Sequence, residues 1–390
     1  MLPTIGSRCC LPVLGALALL VPLLAVVRPP APVAAVGVVT ECTEAALRAA
    51  VSGGGTISFA CTGTITLTSQ LEINQDTVID GGGSVTLAGN YNYTSRLIMV
   101  PAGAALTLNN LTLYRGGRSI TSGLDGGAVA NYGRLTINSS TLSNNVGYFG
   151  GAIFNRGELT IRDSQLVDNK ATFAGAIDAG GTVTIIGSTL TGNVARNSGG
   201  GAIKIGLHGT VLISNSTLAG NYSEGLGGAI FNDGHLTLSA STLADNHAKS
   251  GSAIVNNVGV VVLSGSILSG SGLCSGSTSF TSNGYNVASD NSCNLTAAGD
   301  VQGVDPQLSR LSNNGGQTLT MLPQRGSPAL DRVPNQLCAE LSAVNGGHDQ
   351  RGGPRPVGDA ACDSGSVEVS PAEWCAWKTG RSPELIGWEC

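Results

Sequence analysis

Six short phrases recur at spacings of 24, 24, 26, 27 and 24 residues: "GGAV" at Gly126, "GGAI" at Gly150, "AGAI" at Ala174, "GGAI" at Gly200, "GGAI" at Gly227 and "GSAI" at Gly251. Nothing else in the 390-residue chain restricts its fold as much. Each of the first five is followed by an "LTI"-like run (Leu135–Ile137, Leu159–Ile161, Val183–Ile185, Val211–Ile213, Leu236–Leu238), then an "STL"-like run, then Asn. Alternating runs this short, bounded by Gly, Asn or Ser, signal strands and not helices. Three short strands in each ~24 residues describe one turn of a β-solenoid, whose apolar side chains are buried only when coils stack. A propeller blade needs ~40 residues or more, and a leucine-rich repeat carries its own Leu/Asn spacing. The expected fold class is all-β: a single-stranded parallel β-helix with a short N-terminal capping helix and a loop-rich C-terminal cap.

Composition agrees. The chain holds 57 Gly and is 42% hydrophobic, so it is rich in turn formers yet able to bury a core. Charged residues make up only 12%, net charge is −5 and no basic run occurs, which argues against a nucleic-acid partner.

Stacking turns the repeat into columns. Leu142, Leu166, Leu190, Leu218 and Leu243 share one position and are expected inside. Three residues on, Asn145, Asn169, Asn193, Asn221 and Asn246 form a second column, which predicts an amide ladder between coils. A shorter Asn column (Asn131, Asn155, Asn232, Asn256) is interrupted at Ala179 and Ile205. The Gly pairs mark turns needing positive φ.

The ends read differently. Arg8, the apolar run Leu11–Val27 and the small residues Ala34 and Ala35 resemble a secretory signal over residues 1–35, with an uncleaved anchor as the alternative. Residues 36–70 hold one convincing helix, "TEAALRAAV", with Thr43 as N-cap, followed by a first coil that the helix would cover. Coils extend over 71–270. Residues 271–369 are loop-rich and are expected to close the other end, beginning with a disulfide-closed excursion. Residues 370–390 carry Trp374, Trp377 and Trp388. Eight Cys follow the signal, and sequence neighbours give four local pairs: Cys42/Cys61, Cys274/Cys293, Cys338/Cys362 and Cys375/Cys390. An even count in an exported chain suggests disulfides, although eight Cys allow 105 connectivities.

At this level the chain resembles bacterial exported right-handed parallel β-helix proteins of the pectin-lyase-like class with a choice-of-anchor Q type C-terminal region. The residues that carry this are "CTEAALRAAVSGGGTISFACTGTITL", "TVIDGGGSVTLAGN" and the tail signature "DPQL", "NNGG", "SPALD", "DQRG", "RP" and "CDSGSVE". The GGAI units are similar to repeats of polymorphic outer membrane proteins. The resemblance implies export and a stacked superhelix, and it implies no single activity.

Chemistry must be sought at repeat positions whose letters change from coil to coil, and in the tail. The position after Ile in GGAI reads Ala130, Phe154, Asp178, Lys204, Phe231, Val255. Asp178 and Lys204 fall on adjacent coils, about 4.8 Å apart. They are either an acid and a base on a sugar-binding face flanked by Phe154 and Phe231, or a surface ion pair. Asp331, Asp349, Asp363 and Glu368 gather with Arg351 and Arg355 in the tail. They read either as a cation site, with Ca²⁺ the cofactor to consider, or as an Arg–carboxylate network tying loops together. Asp168, Asp245, His208, His235 and His247 read as surface residues, and His348 as structural. The expected function is an exported extracellular or cell-surface protein with a structural or adhesive role. The alternatives are a lyase or hydrolase of acidic polysaccharide, or a glycan-binding module using Phe154, Phe231 and Tyr148. A monomer is expected, with polysaccharide or cell-surface components as partners.

Overall fold

The computed structural model describes residues 35–90, 95–117, 120, 123–355, 361–369 and 373. It is a parallel β-solenoid of about eight turns. The signal segment and Cys375 and Cys390 lie outside the described residues.

One coil shows how the sequence builds the turn. Arg134–Asn138 is a strand with Leu135 and Ile137 inward. Ser139 then takes φ 46° and bends the chain. Thr141–Ser143 follows with Leu142 inward, and Asn144 at φ 56° makes the next corner. Val146–Phe149 forms a short third side, and Ile153–Asn155 the fourth. The equivalent strands of successive coils pair in parallel and in register. Leu142 meets Leu166, then Leu190, Leu218 and Leu243. We call the stack containing Thr141–Ser143 the second face and the stack containing Ile153–Asn155 the fourth face. The inward side chains form one continuous core from Val39 to Leu295.

The Gly pairs do two jobs. The first residue of each pair has positive φ, from 53° at Gly200 to 69° at Gly227, and Ala174 adopts 61° in the same place. The second residue is needed for closeness: a Cβ on Gly201 would run into the carbonyl oxygen of Gly228 on the next coil.

Buried polar groups are handled by ladders. Asn169 Oδ1 accepts from both the backbone N–H (3.0 Å) and Nδ2 (2.9 Å) of Asn145. Its own Nδ2 donates to Asn193 Oδ1 (3.0 Å) and to Leu142 O (2.9 Å). Both hydrogens and both lone pairs of the amide are thus used, in a residue with no exposed surface. The pattern continues through Asn193, Asn221 and Asn246. The shorter column bonds Asn131 to Asn155 and Asn232 to Asn256, on either side of its interruption. A third ladder went unread in the sequence. Ser140, Ser164, Ser188, Ser216, Ser241 and Ser266 each sit after the bend, where the backbone N–H of one bonds the Oγ of the next.

At the N-terminal end, α1 (Glu44–Val51) is capped by Thr43 Oγ1, which accepts from Ala46 N–H. It buries Leu47 and Val51 in the core, and Cys42–Cys61 fastens it to the first coil. A strand Ala35–Val39 adds a parallel rung that the sequence did not announce.

The other end departs from expectation twice. The coils do not stop at Gly270. Cys274–Gly276, Phe280–Ser282 and Val287–Ala288 pair with the coil before them, so the polar excursion is a further coil, pinned by Cys274–Cys293. Cys293 and Leu295, both buried, join the core there. The loop-rich segment from Asp305 onward runs back along the outside of the second face. Met321 packs on Ala219 and Ala244, and Ala329 on Ile267 and Val287. Thr318 Oγ1 bonds Gly187 O, and Leu319 O accepts from Thr189 Oγ1. The physical reason is that the outward residues of this face are small or apolar (Thr189, Thr217, Thr242, Ile267, Val287) and are buried only by such a cover. Helix α2 (Asn335–Ser342) sits in this segment, and Cys338–Cys362 links it to the stretch after it. Among the described residues no helix is long and apolar enough to cross a membrane.

Candidate functional site

The tail constellation resolves into a clasp. Asp349, with no exposed surface, accepts from the N–H groups of Arg351, Gly353 and Glu368. Asp363 accepts from the N–H groups of Asp331 and Val369, and Glu368 from that of Asp363. Each carboxylate thus closes a loop of its own. Asp331 contributes its backbone to this set, while its side chain is exposed. Arg351 pairs with Asp349 and with Glu373, and Arg355 Nε lies 3.4 Å from Glu368 Oε2. Arg355 also reaches Asn215 Oδ1 on the solenoid (2.9 Å). Burial pushes the Asp363 carboxyl up to about 6. Burial, aided by the neighbouring Asp363 charge, pushes Glu368 up to about 8. Among the described residues no three His, Cys, Asp or Glu side chains gather as a metal site.

The fourth face carries a different arrangement. Asp178 and Lys204 stand in register on adjacent coils, with Phe154 before them and Phe231 after. They do not pair as acid and base side by side. Asp178 is buried, and its ion-pair partner is Arg156 from the preceding coil, at 2.7 Å. The long Arg156 side chain reaches it by lying over the Phe154 ring, 3.7 Å from the centroid. Lys204 leans the other way. Its ammonium lies 5.2 Å from the Phe173 ring centroid and 5.6 Å from that of Phe149.

Those two rings occupy equivalent places in the short ladder of Val146–Phe149 and Lys170–Phe173. They stack at 5.1 Å, and Tyr148 meets both edge-on. Tyr132 meets Phe154 edge-on at 5.9 Å. Asp125 closes this side by accepting from Phe149 N–H. Burial raises the Asp125 carboxyl, against the lowering effect of that bond and of Arg96 and Arg156. Burial also raises Asp178, opposed first by the Arg156 charge. Arg96 has Nε and Nη1 buried with no hydrogen-bond partner among the described residues, and burial lowers its pKa.

The result is an aromatic cluster on the side of the solenoid, with Lys204 over its two stacked rings and the buried Asp178–Arg156 pair beside it. The columns located Asp178, Lys204 and Phe154. They missed Arg156, Asp125, Phe149 and Phe173, which occupy other repeat positions; the pair of Phe residues placed just before the turn was the signal available. His208, His235, His247 and His348 are exposed, as are the corner residues Asp168 and Asp245, both at positive φ. No known protein-family model matches the chain, and no curated protein matches it.

Proposed function

We propose that the chain is an exported β-helix protein acting outside the cytoplasm or at the cell surface, as a rigid structural and adhesive module. The observation that carries this is the division of labour within each coil. The repeated letters are consumed by turns, core and ladders, and letters that break the repeat gather on the fourth face. Three disulfides brace the coils and the clasp, which suits an oxidising compartment. The parallel solenoid supports the likeness to the right-handed pectin-lyase-like class. The tail signature and the GGAI units support the finer likeness to choice-of-anchor and polymorphic-repeat proteins.

The test is fractionation of bacteria producing the full chain or a version lacking residues 1–35. The full chain should leave the cytoplasm, lose its N-terminus near Ala34 or Ala35, and carry no free thiol. Cytoplasmic retention with reduced cysteines rejects the reading. Incubation with polygalacturonate should give no rise at 235 nm and no new reducing ends; either product would replace the adhesive reading with the enzymatic one.

A further inference from the structure

The corner between the second face and the short third side holds a cavity of about 330 Å³. Arg115, Asn144, Asp168 and Lys170 line it, from three successive coils. Two of these letters break their columns. Register carries the corner residue from Arg115 through Asn144, Asp168, Gly192 and Gly220 to Asp245. All six have positive φ, between 53° and 66°. Gly, Asn and Asp adopt that left-handed conformation readily, and Arg does not. Folding alone gives no reason to place Arg115 there. The second column reads Val146, Lys170, Val194, Tyr222. Lys170 is exposed between two half-buried Val, where its stem can pack but its ammonium serves neither turn nor core.

Neither cation is neutralised. Among the described residues no carboxylate lies within ion-pair distance of Arg115 or Lys170, and the Asn144 amide has no hydrogen-bond partner. Arg115 is steadied by its neighbour, its guanidinium lying 4.7 Å from the Tyr114 ring centroid. Asp168 leans away from it: Oδ1 lies where a Cβ on Gly192, one coil further on, would stand. The Arg115 end of the cavity is therefore positive, on a chain of net charge −5. Arg115 and Lys170 stand two coils apart, roughly 10 Å along the axis, with Asn144 on the coil between. Donors arriving from three coils suit an anion whose oxygens point in three directions. A tetrahedral phosphate has them, whereas the two oxygens of a carboxylate share one plane, and Arg adds a fork that fits phosphate. The cavity is larger than a bare phosphate, so the ligand carries an organic body as well.

We propose that this corner cavity binds a phosphate monoester, held by the Arg115 guanidinium, the Lys170 ammonium and the Asn144 amide. The site goes beyond the adhesive reading and does not depend on it.

The experiment is calorimetric titration of the purified protein with glycerol 3-phosphate, inorganic phosphate and acetate, alongside sedimentation with phosphatidate or phosphatidylcholine vesicles. Glycerol 3-phosphate or phosphatidate should bind, the former with a dissociation constant at or below about 1 mM, and acetate should not. Arg115→Asn installs a residue suited to the left-handed corner, so the melting temperature should hold or rise while affinity falls about tenfold. Lys170→Val, the letter of the neighbouring coils, should weaken binding with the fold kept. Asp245→Asn, in the Arg115 column but outside the cavity, should leave binding unchanged. Capture by phosphatidate vesicles alone assigns the phosphate to a lipid headgroup, and binding of the free ester assigns it to a soluble molecule; both uphold the site. No binding of either, acetate as tight as glycerol 3-phosphate, or equal affinity in the wild type and the two folded cavity variants overturns it. None of these outcomes bears on export, which the fractionation decides separately.

Discussion

The second and fourth faces belong to the same coils, yet the tail is laid along the second, while on the fourth Phe154 and Asp178 are buried among side chains of the coils themselves, Tyr132 and Arg156. On the covered face the outward residues are Thr, Ala, Ile and Val, and the tail satisfies the hydroxyls among them. Gln350 is the clearest example. Its Oε1 accepts from Thr217 Oγ1 (2.6 Å), and its Nε2 faces Ser188 O, Thr189 Oγ1, Thr318 Oγ1 and Leu319 O at 3.0–3.2 Å. On the fourth face the outward residues are Phe154, Asp178, Lys204 and Phe231, and Arg96 keeps two buried nitrogens unpartnered among the described residues. The covered face is completed by a distant part of the chain, and the fourth face by long side chains such as Arg156 reaching between neighbouring coils.

Both faces depend on the coil beneath, so the largest effect should come from the inside. Asn193→Ala removes the acceptor of Asn169 N–H and Nδ2 and the donor to Leu166 O and Asn221 Oδ1. Buried groups left without partners should cost roughly 3–5 kcal/mol in total. Urea unfolding should show a much lower midpoint, with both faces lost together. A shift under about 1 kcal/mol would mean that the ladder is not what holds the coils in register.

The covered face should respond less and separately. Gln350→Ala strips the bridge between tail and coils and should cost about 2 kcal/mol. The expected sign is faster proteolysis between residues 305 and 369, with the coils still resistant. Coils digested at the same rate would show that the tail and the solenoid unfold as one unit, which would dissolve the comparison.

What the sequence made legible follows the same division. Register aligns residues that share a repeat position, so the Leu and Asn columns could be read in advance, and with them the break at Ala179 and Ile205. The Ser ladder was equally regular, but Ser is common beside turns and its column drew no notice. The clasp was legible as a cluster of Asp349, Arg351, Arg355, Asp363 and Glu368, and its docking was not. Gln350 meets Ser188 across 162 residues of chain, and no local pattern encodes that. The change from Thr189, Thr217 and Thr242 to Ile267 and Val287 was the available hint that something covers the second face. On the fourth face, columns placed Asp178 beside Lys204 correctly, but they carry no information on how long side chains lean. Arg156 crosses from one repeat position to another over Phe154, and only coordinates show it.

The smallest predicted effect concerns how firmly the cover is held as pH changes. Glu368 and Asp363 sit in the clasp with carboxyls at about 8 and about 6, against ordinary values of 4.5 and 3.8. Between pH ~4 and ~8 the folded pair keeps protons that the unfolded chain has released. Stability from this pair is therefore fully present below the unfolded values and is lost as pH rises through the folded ones. The melting temperature should fall from pH 5 to pH 8.5. Glu368→Gln keeps an oxygen to accept from Asp363 N–H and has no proton to lose. It should match the wild type near pH 5 and exceed it at pH 8.5, flattening the upper part of the slope. The Gln350→Ala cleavage pattern should also emerge in the wild type at pH 8.5 and fade in Glu368→Gln. A wild-type melting temperature that rises over this range would mean that the pair is held ionised by Arg355, and that the clasp is gripped by charge where burial is read as keeping it protonated.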